Sequence, residues 1–479
     1  MNLRKLIHST TATRSLGVAG SLCLAAALAT GCSSAVSPAT GTNINSPAVS
    51  VPVLITDAPS APLVSFSLTI DSITLTDTAG KTASVLSSPT TIEICHLNGI
   101  QAPLVTANVP QDTYVSVAIA FSNPQIAYIN SSGQPVTVTP TLATTSFTLT
   151  FKTPITIGST STSLLVDLLA AQSVTISGAT VTVNPVFNVT NVPPPSTMPP
   201  PGQNGTGMQQ MGTVVSVSGT TLVIEPGSGP NFTLTTNTAT LLQGFSSLST
   251  LTAGELVQVD FVLQSGGVCL ATRIQLAPPP PGGQKPNLLN GPVTSVTPGA
   301  GFKMVLMQGL GPAVGSVAPT AVSVFTVTTT TSTAYAITPQ FVSIAGLPFT
   351  PSFTATNLTP GQTVGVTASS VTGTTAAATN VYLIPQTLGG VVTAISTSGN
   401  YTAYTLTLVS GDAFTALTGA STVTVYTSTA TVGPPTPVAA NNTPIKVGSQ
   451  VRFNGLVFNT GSAAFSMVAG CSPDGPPGI

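Results

Sequence analysis

Ser65-Phe66-Ser67-Leu68-Thr69-Ile70-Asp71-Ser72-Ile73-Thr74-Leu75 alternates apolar and polar side chains. Successive side chains of an extended strand point to opposite faces, so Phe66, Leu68 and Ile70 share one face while Ser65, Ser67 and Thr69 take the other. The phase then slips, and Ile73 and Leu75 carry the apolar face onward. One extra residue at Asp71-Ser72, a β-bulge, produces such a slip. The same alternation recurs at Val115, Val117, Ile119 and Phe121, at Phe147, Leu149 and Phe151, and at Val181, Val183, Phe187 and Val189. Short alternating segments separated by turn signals predict an antiparallel β-sandwich over residues 51–191.

Composition agrees with sheets throughout. The chain has 479 residues, 42 Pro and 44 Gly, punctuation too dense for long helices. Charged residues make up 4% of it, against about 25% in an average soluble domain. Ser and Thr supply the polar half of nearly every strand-like segment. A net charge of −1 provides no basic field to attract nucleic acid, and the lack of tryptophan removes the best stacking surface. Nucleic acid is therefore excluded as an expected partner. No run beyond the first residues is long and apolar enough to read as a membrane-spanning helix.

Past the sandwich the chain repeats itself. Val192-Pro193-Pro194-Pro195 begins a Pro-rich linker over 192–210, and Pro278-Pro279-Pro280-Pro281 begins a second over 278–289; both read as stiff spacers. Three units follow the first spacer, over 211–277, 290–385 and 386–470, leaving a tail at 471–479. Each opens with Gly-x-Val-x-x-Val/Ile: Gly212, Val214, Val217; Gly291, Val293, Val296; Gly390, Val392, Ile395. Each has a turn entering a strand, ending in Gly254, Gly361 or Gly448, and each closes on a strand led by Ala271, Ala378 or Ala464. The opening glycines are expected to be positive-φ turn residues. The middle unit is read with a long insertion, roughly 309–351, and the third with a Pro-rich one near 434–437.

Residues 51–192 resemble an uncharacterised bacterial lipoprotein domain, a domain of unknown function. The match rests on Leu54-Ile55-Thr56-Asp57-Ala58-Pro59, Ile70-Asp71-Ser72-Ile73, Val109-Pro110-Gln111-Asp112-Thr113-Tyr114, Leu165-Val166-Asp167-Leu168 and Asn184-Pro185-Val186. The Pro-x-x-Thr-Tyr element is similar to the turn-into-strand of transthyretin-like sandwiches, with Asp112 where Gly is usual. The three later units, about 211–469, resemble a second uncharacterised family of small OB-like β-barrels found in exported bacterial proteins. Both resemblances imply a fold and neither implies an activity.

The amino terminus reads as an address. Arg4, Lys5 and Arg14 form a positive region, Leu16–Leu28 an apolar one, and Leu28-Ala29-Thr30-Gly31-Cys32 resembles the lipobox of bacterial lipoproteins. That resemblance implies cleavage of residues 1–31 as a signal peptide and lipidation of Cys32, the membrane partner then being reached through the lipid. Ser33 stands where an Asp favours inner-membrane retention in Gram-negative lipoproteins, which points to the outer membrane. Residues 32–50 read as a flexible tether.

Chemistry is sparse. His96 is the one histidine after the signal segment, so a Ser-His-Asp or Cys-His site would depend on it. It is expected at a strand end or in a loop, and adjacent Cys95 would point away from it on a strand. No Cys-x-x-Cys, His-x-x-x-His or Gly-x-Ser-x-Gly motif occurs. Asp57 before Ala-Pro reads as a turn former, and Glu255 and Asp260 have opposite strand parity. Gly309-Leu310-Gly311-Pro312 reads as a loop rather than a phosphate cradle. Cys95, Cys269 and Cys471 are read either as free buried thiols or as one disulfide with a thiol left over. Tyr114, Tyr128, Tyr401 and Tyr404 are candidate platforms for a glycan, or else packing residues.

The expectation is an all-β chain, an antiparallel sandwich followed by three small barrels. No catalytic, cofactor or metal residues are assigned, and lipidation at Cys32 is the one site. The expected role is non-catalytic, structural or binding, at the cell envelope, with an envelope polymer, glycan or protein as partner. A glycan-binding module and a hydrolase built on scattered carboxylates are the alternatives.

Overall fold

The computed structural model describes residues 47–58, 62–97, 101–159, 163–192, 210–226, 231–264, 268–277, 286–314, 322–337, 344–428, 438–439, 443–461 and 464–471. The signal segment, Cys32, most of the tether, nearly all of the first Pro-rich linker and residues 278–285 of the second lie outside them.

Among the described residues the first unit holds thirteen strands: β1 (Ala48–Ala58), β2 (Leu63–Asp77), β3 (Thr82–Leu86), β4 (Thr90–Glu93), β5 (Ala102–Pro110), β6 (Asp112–Ile129), β7 (Pro135–Val138), β8 (Thr141–Leu142), β9 (Ser146–Ile157), β10 (Ser163–Leu169), β11 (Val174–Ser177), β12 (Thr180–Val183) and β13 (Phe187–Val192). One sheet runs β13-β10-β1-β5, and the other is built on β3-β2-β6-β7 with β4 on β2 and β9 on β6. Their inner faces share one core, which includes Phe66, Leu68, Ile70, Ile73, Leu75, Val117, Ile119 and Phe121. The pairing is antiparallel except for β1 with β10 in the first sheet and β8 with β12 in a small third one. The slip in β2 is a bulge: Ile70 pairs Phe121 and Ser72 pairs Ala120, leaving Asp71 between them. Asp71 accepts a hydrogen bond from Ser122 Oγ at 2.9 Å, so the extra residue is held by its own side chain.

Ser65, Ser67 and Thr69 are buried as well, although the pattern assigns them to the outer face. Other units cover that side. Val64, Ala127 and Ile129 form a cluster with Val305, Val322 and Ala413 from later in the chain.

Those later units are three five-stranded barrels of one connectivity. The first comprises β14 (Gln210–Ser218), β15 (Thr221–Pro226), β16 (Phe232–Thr235), β17 (Leu241–Gln243), β18 (Leu256–Leu263) and β19 (Cys269–Leu276). The second comprises β20 (Asn287–Thr297), β21 (Gly301–Val305), β22 (Gln308–Leu310), β23 (Val324–Thr328), β24 (Ala334–Ile337), β25 (Thr363–Thr372) and β26 (Thr375–Leu383). The third comprises β27 (Gln386–Ser398), β28 (Tyr401–Leu408), β29 (Thr422–Ser428), the short β30 (Val438–Ala439) and β31 (Thr443–Pro444), β32 (Gln450–Gly461) and β33 (Ala464–Cys471). In each ring the first strand pairs the second, the second the third, the third the fifth in parallel, the fifth the fourth, and the fourth the first. A closed ring has no open edge, which suits a chain with few charges to guard one. Strand β23 falls inside the stretch read as an insertion, so part of that stretch is barrel wall.

The repeat signature has a common geometry. Val214, Val293 and Val392 are each followed by a bulge that inserts one residue, which is why the next apolar position comes three residues on rather than two. Each of these valines exchanges a pair of main-chain hydrogen bonds with the turn before the fourth strand. Gly254, Gly361 and Gly448 donate to the valine carbonyls at 2.7, 2.8 and 2.8 Å, and the valine amides donate to Glu255, Gln362 and Ser449 at 2.8, 2.8 and 2.9 Å. These turn glycines have φ of 87°, 87° and 89°, the left-handed region glycine tolerates. The opening glycines do not: Gly212, Gly291 and Gly390 lie within strands at ordinary φ, contrary to the expectation. A Cβ there would strike the neighbouring strand, the Val305 carbonyl at Gly291 and the Thr407 carbonyl at Gly390, so close approach and not turn geometry requires glycine.

The units also do not stand apart on spacers, as the linkers suggested. Leu54 of the sandwich packs within the first barrel's cluster, and Leu310 of the second barrel packs with Met211 and Leu256 of the first. Leu456, Phe458 and Val468 of the third barrel complete the core cluster of the second. Strand β32 is buried on both faces over most of its length, which a free-standing barrel would not allow.

Candidate functional site

Where the sandwich, the second barrel and the third barrel meet, they enclose a cleft of about 390 Å³. Its wall is mostly apolar, with Leu63, Met307, Leu388, Phe414 and Leu417 among the lining residues. Its polar side chains include His96, Arg452, Asn454 and Asp412. Three chain segments distant in sequence supply them.

His96 sits in a 3-10 turn, Cys95–Leu97, that follows β4, so it and Cys95 are on a helical turn and not on a strand. Glu93 organises this turn. Its carboxylate, fully buried, accepts hydrogen bonds from Ser65 Oγ, from the Phe66, Cys95 and His96 amides, and from His96 Nδ1 at 2.9 Å. A carboxylate only accepts, so Nδ1 carries the proton of that bond and Nε2 is the nitrogen left toward the cleft. The Cys95 thiol lines the same corner. Burial, then the charges of Glu93 and Asp57, push its pKa well above the ordinary thiol value, which disfavours the thiolate.

Arg452, on β32, enters from the third barrel and donates through Nη1 to the Asp57 carbonyl at 3.4 Å. The adjacent Thr56 hydroxyl donates to the Leu97 carbonyl, also at 3.4 Å, so the end of β1 brings the guanidinium and the histidine turn together. Asp57 belongs to β1 and not to a turn, and it is buried. Burial first and the Asp167 charge next hold its carboxyl well above the usual range, with Arg452 pulling in the other direction.

Asp412 reaches the cleft from the start of α2 (Ala413–Thr418; the shorter α1, Ala170–Ser173, lies in the sandwich). It is that helix's N-cap, its Oδ1 accepting from the Phe414 and Thr415 amides at 2.8 and 3.4 Å. Burial raises its pKa to about 6 against these two hydrogen bonds, and no charged neighbour is among the causes.

The other singled-out residues are structural. Tyr114, Tyr128, Tyr401 and Tyr404 are all buried, so none offers an open ring face to a glycan. The Tyr114 hydroxyl donates to the Pro110 carbonyl at 2.8 Å, and that of Tyr401 to the Ala345 carbonyl at 2.9 Å. Asp260 pairs Arg273 at 2.9 Å, both buried, while Glu255 caps the turn at Thr252. Cys95 and Cys269 are free and buried, and the side chain of Cys471 lies outside the described residues. Among the described residues no three His, Cys, Asp or Glu side chains converge as a metal site. Sequence reading singled out His96 and Asp57 but left Arg452, Asp412 and the role of Glu93 unnoticed. Asp412, a helix cap before Ala413-Phe414, is the one with a local signal.

Two family models match parts of the chain. One, Domain of unknown function (DUF4382), covers residues 48–185 of the sandwich, and the other, Domain of unknown function (DUF5666), covers 211–275, the first barrel. The second and third barrels share the first one's connectivity and turn. Comparison with curated proteins finds no match. A crystal structure of a multidomain protein with nucleic acid binding domains from Streptococcus pneumoniae is 10% identical over 54% of this chain and 72% of that chain, with a TM-score of 0.11. At that score it carries no argument.

Proposed function

We propose that this is an exported, lipid-anchored cell-envelope protein, tethered through Cys32 at the outer membrane, with a non-catalytic role in binding or scaffolding outside the cytoplasm. The observation that carries the non-catalytic part is the state of the junction corner. Its thiol is buried and favoured in the protonated form, and Glu93 is committed to five hydrogen bonds that fix the turn rather than poised for proton transfer. Small ligands are bound in such apolar clefts with a few placed polar groups. The address rests on Leu28–Cys32, and the transthyretin-like type of the sandwich rests on the Pro110–Tyr114 element. Metabolic labelling with a radioactive fatty acid tests the anchor: label on the wild type and none on Cys32→Ala, with globomycin blocking processing, is the expected result. Unchanged processing in the variant rejects the anchor. Turnover of an ester, peptide or glycoside that His96→Asn abolishes would reject the non-catalytic role.

A further inference from the structure

The cleft also has a chemical preference, which follows from what the polar groups in its wall are already doing. Asn454 Nδ2 donates to Thr387 Oγ1 at 2.9 Å. Gln386 uses both ends of its amide, accepting from the Thr363 amide at 2.7 Å and donating to the Gly361 carbonyl at 3.0 Å. The His96 ring is held on Glu93 through Nδ1. Arg452 is directed at the end of β1, where it donates to the Asp57 carbonyl and its charge acts on the Asp57 carboxyl. Asp412 is different. Both of its cap bonds, from the Phe414 and Thr415 amides, are made to Oδ1. Oδ2 has no hydrogen-bond partner among the described residues and is not sealed into the protein. Asp412 lines the cleft, so the cleft is the space onto which that oxygen opens.

A carboxylate has about four lone-pair sites, and the cap bonds use only those of one oxygen. The other oxygen is best met by a charged donor. The protein supplies none: burial raises the Asp412 pKa to about 6, and no charged side chain acts on it. Cys95, His96 and Arg452, the other titratable groups lining the cleft, are thus too far away to answer its charge. An anion at Asp412 would meet like charge. A sugar or nucleotide, with polar groups all round, would leave most of them unmet against so apolar a wall. We propose that the cleft binds a small organic ammonium ion with an apolar body, its N–H donating to Asp412 Oδ2 and its body lying along Leu63, Leu388, Val409 and Leu417. This rests on the binding role proposed above and names the class of molecule bound.

Calorimetric titration of the full chain with hexylamine, methylamine, hexan-1-ol and hexanoate, each against a blank of the same non-ionic detergent, tests this. It is run at about pH 8, where a carboxyl of pKa about 6 is ionised. Hexylamine is expected to bind at least about tenfold more tightly than the alcohol or the acid, the gain expected of a charge-assisted pair. Methylamine has the charge without the body and should be at least about tenfold weaker than hexylamine. At about pH 5 hexylamine affinity should be about tenfold lower, because a proton then competes for Asp412. In Asp412→Asn and Asp412→Ser the helix keeps a cap while the cleft loses its carboxylate. Both should bind hexylamine at least about tenfold more weakly than wild type and show no such pH dependence. Circular dichroism checks that they fold, and if either does not, the ligand and pH series on the wild type decide alone. The proposal is overturned by no hexylamine binding at millimolar concentration, or by equal or tighter binding of any of the other three. Affinity unchanged at the lower pH, or unchanged in a folded Asp412 variant, overturns it as well. Such a failure leaves the anchor standing, because that is read from lipid on Cys32.

Discussion

Glu93 Oε2 and His96 Nδ1 meet at 2.9 Å, three residues apart in sequence, and the carboxylate behind that bond also holds three main-chain amides and one serine hydroxyl. The histidine is a minor member of this network and the glutamate its centre. Glu93→Ala should therefore cost about 3–5 kcal/mol, because it strands several buried donors at once. His96→Asn should cost less than about 1.5 kcal/mol, since one partner is replaced by another donor. Urea unfolding followed by circular dichroism measures both, and comparable losses would contradict this ranking.

Asp412 gives stability a pH dependence of unusual sign for a carboxylate. Its folded pKa of about 6 lies above the 3.8 of an unperturbed aspartate, so the native state holds the proton more tightly than the unfolded chain. Its contribution is complete below about pH 4 and is lost as the pH rises through about 6. Asn caps helices as well as Asp does. Asp412→Asn should therefore flatten the stability profile between about pH 4 and 6 and gain on the order of 2 kcal/mol relative to wild type at pH 7. Denaturation midpoints at a series of pH values check it, and parallel profiles for the two proteins would count against it.

Cys95 and Cys269 should resist alkylation. Both are buried, and Cys95 is further disfavoured as a thiolate by burial and by the charges of Glu93 and Asp57. Native protein treated with N-ethylmaleimide at pH 7 should carry no label on the two peptides containing them, and denatured protein should carry label on both, as read by peptide mass mapping.

The strands were legible because their signal is local. The period-two pattern of Phe66–Ile70 and the slip at Asp71 are properties of a few adjacent residues, and they reappear as a strand and its bulge. The three barrels were legible because a repeat multiplies a weak local signal. The cleft was not, since its wall comes from three units, and nothing near Arg452 in sequence announces that it reaches the end of β1. The docking of the units was hidden for a related reason. Leu456, Phe458 and Val468 belong to a barrel of their own, and an apolar strand reads the same whether its second face meets its own barrel or another. The opening glycines misled in a different way, because sequence records that a side chain is forbidden without recording whether a turn or a neighbouring carbonyl forbids it.

That last distinction can be measured. If close approach is what requires glycine at the head of each barrel, Gly390→Ala must push β27 away from the Thr407 carbonyl on β28, and the strain falls where the third barrel closes. A turn glycine with open space around its Cβ position behaves otherwise: Gly411, with φ of 78°, meets nothing nearby and pays only for its backbone conformation. Overpacking that displaces main chain typically costs about 1–3 kcal/mol and sometimes more, whereas a left-handed alanine costs about 1–2 kcal/mol. Gly390→Ala should therefore lower amide-exchange protection across β27, β28 and β32, the three strands that share its pairing, while Gly411→Ala should loosen the turn before α2 and leave those strands protected. Equal protection of β27 and β28 in Gly390→Ala and wild type would mean that the strand absorbs the methyl group by a shift too small to matter, and the glycine would need another explanation.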